Sequence, residues 1–122
     1  TTEIYTLSLH DALPIYYIAQ RFDLAAEAVI ATADNGVLSG RPRTIIMDRP
    51  SPENLSNMVM EENIAVVICG GIEERHYQFL QWKKIRVIDY IIGEHSVALQ
   101  RFLRGELQPG DILPLSRANL SL

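Results

Sequence analysis

The stretch Ala65-Val66-Val67-Ile68-Cys69-Gly70-Gly71-Ile72 decides the fold. Its apolar run from Ala65 to Cys69 is short and partly β-branched, as a strand buried on both faces requires. The glycine pair lets the backbone turn tightly or approach a ligand closely, and Glu73 to Lys84 then follows helical spacing. Glu73 and Glu74 at the start of that helix, and Lys83 and Lys84 at its end, complement the helix dipole. Strand, glycine pair and helix in this order place a candidate site at the strand's carboxyl end, where helix N–H groups favour an anion. Cys69, the chain's one cysteine, stands at that mouth.

Upstream, Glu27 to Thr32 and Val37 to Met47 read as two extended arms around Asp34-Asn35-Gly36, a strong hairpin signal. Pro42 interrupts the second arm and assigns it to a sheet edge. Ser51-Pro52-Glu53 opens a helix with Leu55, Met58 and Val59 on one face, ending at Asn63. The strand itself is read as Ile64 to Cys69. Downstream, Ile85 to Ile92 reads as a strand, and Gly93 opens a helix lined by Leu99, Phe102 and Leu103 and closed by Gly105. After Leu107 the chain carries Pro109-Gly110 and Pro114 and reads as irregular. Two strand–helix–strand crossings predict an α/β domain with a mixed sheet: an antiparallel hairpin and parallel strands flanked by helices. Ligands in such sheets sit beyond the carboxyl ends of parallel strands, here Cys69-Gly70-Gly71 and Ile92-Gly93-Glu94-His95. Gln20-Arg21-Phe22-Asp23 joins them if the strand before it is also parallel.

The 122 residues, 48% of them hydrophobic, suit one domain with its own core. A single cysteine excludes an internal disulfide and points to a reducing compartment, hence a cytoplasmic protein. The net charge of -4 argues against a nucleic-acid surface. No apolar run has the length of a membrane span, and the N-terminus lacks the pattern of a signal peptide, so no membrane partner is expected.

Glu3-Ile4-Tyr5-Thr6-Leu7-Ser8-Leu9-His10-Asp11-Ala12-Leu13-Pro14-Ile15 resembles translated sequencing-adapter read-through. Residues 1–15 are therefore read as a non-native segment, against the alternative of a genuine N-terminal strand, and His10 and Asp11 carry no functional weight. The domain proper is 16–113, followed by an irregular tail at 114–122.

Arg21-Phe22-Asp23-Leu24-Ala25, Asp34-Asn35-Gly36, Ile68-Cys69-Gly70-Gly71-Ile72 and Phe102-Leu103-Arg104-Gly105-Glu106-Leu107 fall in an order and spacing that resembles the dinitrogenase iron-molybdenum cofactor biosynthesis family (NifX/NafY-like). The resemblance spans Ile18 to Leu113. It implies a ribonuclease H-like α/β fold and a non-catalytic role in holding or carrying an iron-molybdenum or iron-sulfur cluster, alongside cofactor-assembly proteins, in nitrogen fixation. Relatives open with a β-strand where this chain has the adapter-like residues. Many also carry His-Phe-Gly where Arg21-Phe22-Asp23 stands here. Arginine does not coordinate metal at ordinary pH, but it donates charge-assisted hydrogen bonds to an anionic group. Metal ligation then falls to Cys69, with His95 or His76 as helper and Cys69 and His95 as the expected metal pair, and Arg21, Asp23, Gly70 and Gly71 complete the cofactor-binding set.

Each of these residues also has a plain structural reading. Cys69 suits a small buried hydrophobe, Gly70 and Gly71 a tight turn, and Arg21 and Asp23 a mutual ion pair. His76 shares an apolar helix face, His95 suits a solvent-facing position, and Tyr77, Phe79 and Trp82 suit packing. Two functional alternatives follow: a regulatory or protein-interaction module of the same fold that has lost the cluster, and a cysteine-dependent enzyme whose thiol is activated by the helix N-terminus.

Overall fold

Alternation along three strands sorts the apolar side chains onto two faces of one sheet. The computed structural model describes residues 2–10, 16–25, 27–49 and 51–114, and side chains from residue 18 onward. Ala28, Ile30, Val67, Cys69 and Val87 share the first buried cluster with Phe22, Leu55, Val59 and Leu80. Their neighbours Ala31, Ala33, Val66, Ile68 and Ile88 share the second with Ala98, Leu99, Leu107 and Leu113. Helices α1 (Pro52–Glu61) and α2 (Glu74–Trp82) therefore cover one face, and α3 (His95–Leu103) covers the other. The result is a mixed α/β domain in three layers, as the crossings predict.

Strand β1 (Thr2–His10) lies at the centre of the sheet. One edge pairs antiparallel with β3 (Glu27–Asp34), from Thr2 opposite Ala33 to Ser8 opposite Glu27. The other edge is shared: Ile4 to Thr6 pair in parallel with β6 (Val66–Ile68), and Ser8 to His10 pair antiparallel with β2 (Tyr16–Ile18). Strand β7 (Arg86–Ile88) then adds to β6 in parallel. Residues 2–10 thus occupy a strand position, and 11–15 lie outside the described residues, as does the tail beyond 114.

The hairpin forms at Asn35 and Gly36, whose φ angles of 52° and 80° give the turn that an Asn-Gly pair favours. Its second arm is split. Strand β4 (Val37–Leu38) ends before Ser39-Gly40-Arg41-Pro42, and β5 (Arg43–Ile46) resumes on the same edge of β3. Pro42, which has no N–H to donate, sits in the break, and both pieces are edge strands. Because β5 and β3 are antiparallel, as are β3 and β1, strand β5 runs in the same sense as β6 and the crossing through α1 is parallel.

All three helices close with the same hydrogen-bond pair, a left-handed residue whose N–H and that of its successor bond back to the last turn. Asn63 and Ile64 donate to Met60 and Val59, Lys84 and Ile85 to Gln81 and Leu80, and Gly105 and Glu106 to Phe102 and Arg101. The left-handed residues have φ of 55°, 63° and 73°. Helix α2 thus ends two residues before the expected Lys84, which serves as its cap instead of lying in its last turn. At the other end, Ser51 caps α1 by accepting from the Asn54 N–H at 3.2 Å.

The expected strands at 64–69 and 85–92 are shorter, and the second stops early because Tyr90 takes φ of 58° and bends the chain out of the ladder just after β7. Trp82 is not packed as expected: it is 73% exposed, with the Lys83 Nζ 4.4 Å from its ring centroid. His76 is buried as expected, 5.7 Å from the Phe22 ring, yet its Nε2 lacks a hydrogen-bond partner. Among the described residues no helix is long and apolar enough to cross a membrane.

Two substitutions test this backbone reading by denaturant unfolding. Lys84→Gly removes the cost of a left-handed Cβ and is expected to stabilise the chain by about 1 kcal/mol. Gly70→Ala places a Cβ 2.3 Å from the Ala19 carbonyl oxygen and is expected to destabilise by about 3 kcal/mol, whereas Gly71→Ala meets nothing closer than 3.5 Å and costs under ~1 kcal/mol. Equal losses at the two glycines would refute the crossing at Gly70.

Candidate functional site

At the carboxyl end of β6 the chain leaving β2 presses directly onto Gly70. A side chain there would meet the carbonyl oxygens of Ala19 at 2.3 Å and Gln20 at 2.4 Å, so glycine is demanded by protein backbone. One residue on, the Gly71 N–H donates to the Gln20 carbonyl at 2.8 Å, and the Phe22 N–H donates to the Gly71 carbonyl at 2.6 Å. These bonds form a parallel bridge between Arg21 and Gly71. Strand β2 itself is antiparallel to β1, contrary to the condition set for Gln20-Arg21-Phe22-Asp23 to join the site. The local parallel bridge brings Arg21 there nonetheless.

The 3₁₀ turn Phe22–Leu24 holds this crossing in place. Phe22 is 1% exposed, and burying such a ring contributes roughly 1.5–3 kcal/mol. The Arg21 to Asp23 ion pair on its rim, with Arg21 54% exposed, contributes at most about 1 kcal/mol. Burial of the ring, not the ion pair, therefore anchors the turn.

A cleft of about 720 Å³ opens beside the crossing. Its floor and walls are Ile18, Ile72, Ile91, Ile92 and Ile112, and its polar groups come from Gln20, Arg21, Glu73, Tyr90 and the Gly70-Gly71 backbone. The C-terminal segment completes it. The Ile92 N–H donates to Asp111 at 3.1 Å, the Leu113 N–H donates to Ile92 at 2.9 Å, and the Gly110 N–H donates to Asp89 at 2.9 Å. This second parallel bridge carries Gly110 and Ile112 to the mouth. Tyr90, Ile92 and Ile112 remain largely exposed there, leaving an apolar rim.

Charge along the opposite rim alternates. Arg21 donates through Nε and Nη2 to both Asp23 oxygens, at 2.9 and 3.0 Å, and its Nη2 lies 3.8 Å from Glu73 Oε1. The other Glu73 oxygen accepts from Arg75 Nε at 3.1 Å, and Arg75 Nη2 lies 4.0 Å from Glu53. Two guanidinium groups thus stand among three carboxylates. Glu73 is also the N-cap residue of α2, but its carboxylate caps no helix N–H.

Of the residues singled out in the sequence, Arg21, Gly70 and Gly71 meet in the cleft. Asp23 does not line it and acts through its grip on Arg21. Cys69 is 0% exposed, its side chain turned into the core shared with Phe22 and Leu80. Burial, and then the nearby Asp89 carboxylate, push its thiol far above the ordinary cysteine range. His95 is the first residue of α3, half-buried and outside the cleft lining. Among the described residues, no three or more His, Cys, Asp and Glu side chains are grouped to hold a metal ion. Nothing in the sequence assigns Tyr90, Glu73 or Ile112 to a site. The first depends on a left-handed backbone that its residue type does not announce, and the last on a bridge between segments that each read as irregular or strand-terminal.

No protein-family model matches the chain, and no curated protein matches it in sequence. Solved structures do. The protein PH0822 superposes with a TM-score of 0.78 at 15% identity, over 88% of this chain and 94% of its own. The apo form of the orange protein of Desulfovibrio gigas gives 0.71 at 19%, over 88% and 92%. A protein of Methanocaldococcus jannaschii provisionally named a dinitrogenase gives 0.67 at 21%, over 87% and 91%. At these identities the likeness is one of fold, and the chain shares its mixed α/β architecture with these proteins along almost its whole described length.

Proposed function

We propose that this chain is a non-catalytic binding protein whose cleft receives an anionic iron-molybdenum or iron-sulfur cluster as cargo during metallocofactor assembly. The observation that carries the reading is the cleft at the carboxyl ends of β6 and β7, where Arg21 meets the Gly70-Gly71 backbone. Its volume lies in the range of small-molecule and cofactor sites. The likeness to a protein provisionally named a dinitrogenase, and to an orange protein solved in an apo form, supports the same direction. A ribonuclease H-like fold, a cytoplasmic location and cofactor-assembly partners belong to this reading. So does the assignment of 16–113 as the domain and of 1–15 as a non-native segment, of which residues 2–10 pair in the sheet.

The donor set shapes how cargo is held. With Cys69 in the core and His95 outside the lining, the cleft offers hydrogen bonds and apolar contact in place of thiolate or imidazole ligands. A cluster would enter with its own ligands intact and be released without breaking metal–protein bonds. Arg21 is the group suited to its charge. The regulatory or interaction module remains the second reading, favoured by the exposed apolar rim of Tyr90, Ile92 and Ile112. A cysteine-dependent enzyme is disfavoured by the burial of the thiol.

Anaerobic titration with iron-molybdenum cluster, followed by visible absorption and metal analysis after desalting, is expected to show metal retained at a fixed ratio. Arg21→Gln should weaken retention by about tenfold, the scale of one charge-assisted hydrogen bond. A folded chain that retains no metal would refute the carrier reading in favour of the interaction module. Cys69 is expected to react with a disulfide reagent far more slowly than a free thiol until the chain is unfolded. Its raised thiol pKa also means that folding stability is fully present below pH 9.0, the ordinary value, and declines above it. Cys69→Ala should lack that alkaline decline relative to the parent chain. Fast labelling of the folded chain, or an identical alkaline profile in Cys69→Ala, would overturn the core assignment.

A further inference from the structure

The cleft pairs apolar walls with a guanidinium that is already engaged. Arg21 is bound by both oxygens of Asp23, and on its other side it faces Glu73, which lines the cleft and is 42% exposed. An incoming anion therefore meets a carboxylate before it meets a free arginine. Asp23 does not line the cleft, so Glu73 is the carboxylate a ligand would replace. Glu73 has somewhere to go, because its second oxygen is held by Arg75 on the side of α1. Small oxyanions are strongly hydrated on every face, and isoleucine walls return none of that hydration. An anion with its charge at one end and an apolar or polarisable body gives up far less water and gains contact with Ile72, Ile92 and Tyr90.

We propose that Glu73 is the specificity-determining residue of this cleft. An anion binds by taking its place beside Arg21, and the cleft thereby selects anions with one compact charged end on an apolar or soft body and turns away small hydrated oxyanions. The inference rests on the cleft being the binding site, and it names the chemical class that site admits. For a cluster cargo, the class corresponds to a sulfide-rich, weakly hydrated body presenting one acidic end.

Metal-free probes test it on the full chain. The anionic probe 8-anilinonaphthalene-1-sulfonate and its uncharged relative N-phenyl-1-naphthylamine are titrated by fluorescence. Glu73→Gln should bind the anionic probe about three- to fivefold more tightly than the parent chain, a gain that shrinks at high salt, while the uncharged probe is unchanged. Glu74→Gln, which removes the same charge one residue on and outside the cleft lining, should leave both probes unchanged. Ile92→Asp should weaken both, locating them in the cleft. Inorganic phosphate should displace the anionic probe no better than sodium chloride at equal ionic strength. The proposal is overturned if Glu73→Gln shifts both probes equally or neither, if Glu74→Gln matches it, or if phosphate competes specifically. Because the probes carry no metal, these results stand apart from the cluster titration: retained cluster with an inert Glu73→Gln refutes the gate alone, and a working gate without cluster retention refutes the cargo alone.

Discussion

The carbonyl oxygens of Ala19 and Gln20 pass so near the Cα of Gly70 that no side chain fits between them. That crossing fixes where the chain leaving β2 meets the end of β6. From it follow the bridge of Arg21 to Gly71, the anchoring of Phe22 in the core, and the side of the cleft on which the arginine stands. The two glycines of one motif thus have different duties. Gly70 admits a neighbouring backbone, and Gly71 exposes its own backbone surface to the cleft.

Strand alternation sets the chemistry of the residue just before. Val67 and Cys69 point to one face and Val66 and Ile68 to the other, so a cysteine at this register enters the core beneath α2 whatever its reactivity. A sequence motif that brings thiol and glycines together along the chain separates them in space: the glycines line the cleft while the sulfur enters the core shared with Phe22 and Leu80. What lines the cleft beside them is chiefly a surface of isoleucines, one tyrosine and a partly neutralised arginine.

The features governed by local rules were legible in the sequence. The Asn35-Gly36 turn, the Ser51 cap, the doubly buried strand around Val67 and the edge position of Pro42 each follow from one residue's backbone or hydrogen-bonding preference. The pairing of Arg21 with Asp23 was legible for the same reason. Long-range placement was not. The antiparallel sense of β2, the bridge from Ile92 to Ile112 and the exposure of Trp82 depend on which segments meet, and Lys84 and Tyr90 adopt left-handed backbone that favours glycine or asparagine. The approach of Glu73 to Arg21 joins two segments far apart in the chain, so sequence spacing carried no trace of it, while its contact with Arg75 is local.

The central strand has a consequence for the order in which the molecule assembles. The partners of β1 lie far along the chain: Ser8 pairs with Glu27, and Ile4 with Val66. Once the hairpin has docked along one edge, the other edge of β1 stays unpaired over Ile4 to Thr6 until β6 docks. Closing that long loop slows folding, and for its duration the chain offers an open strand edge in the middle of its own sheet, a ready template for pairing with another copy.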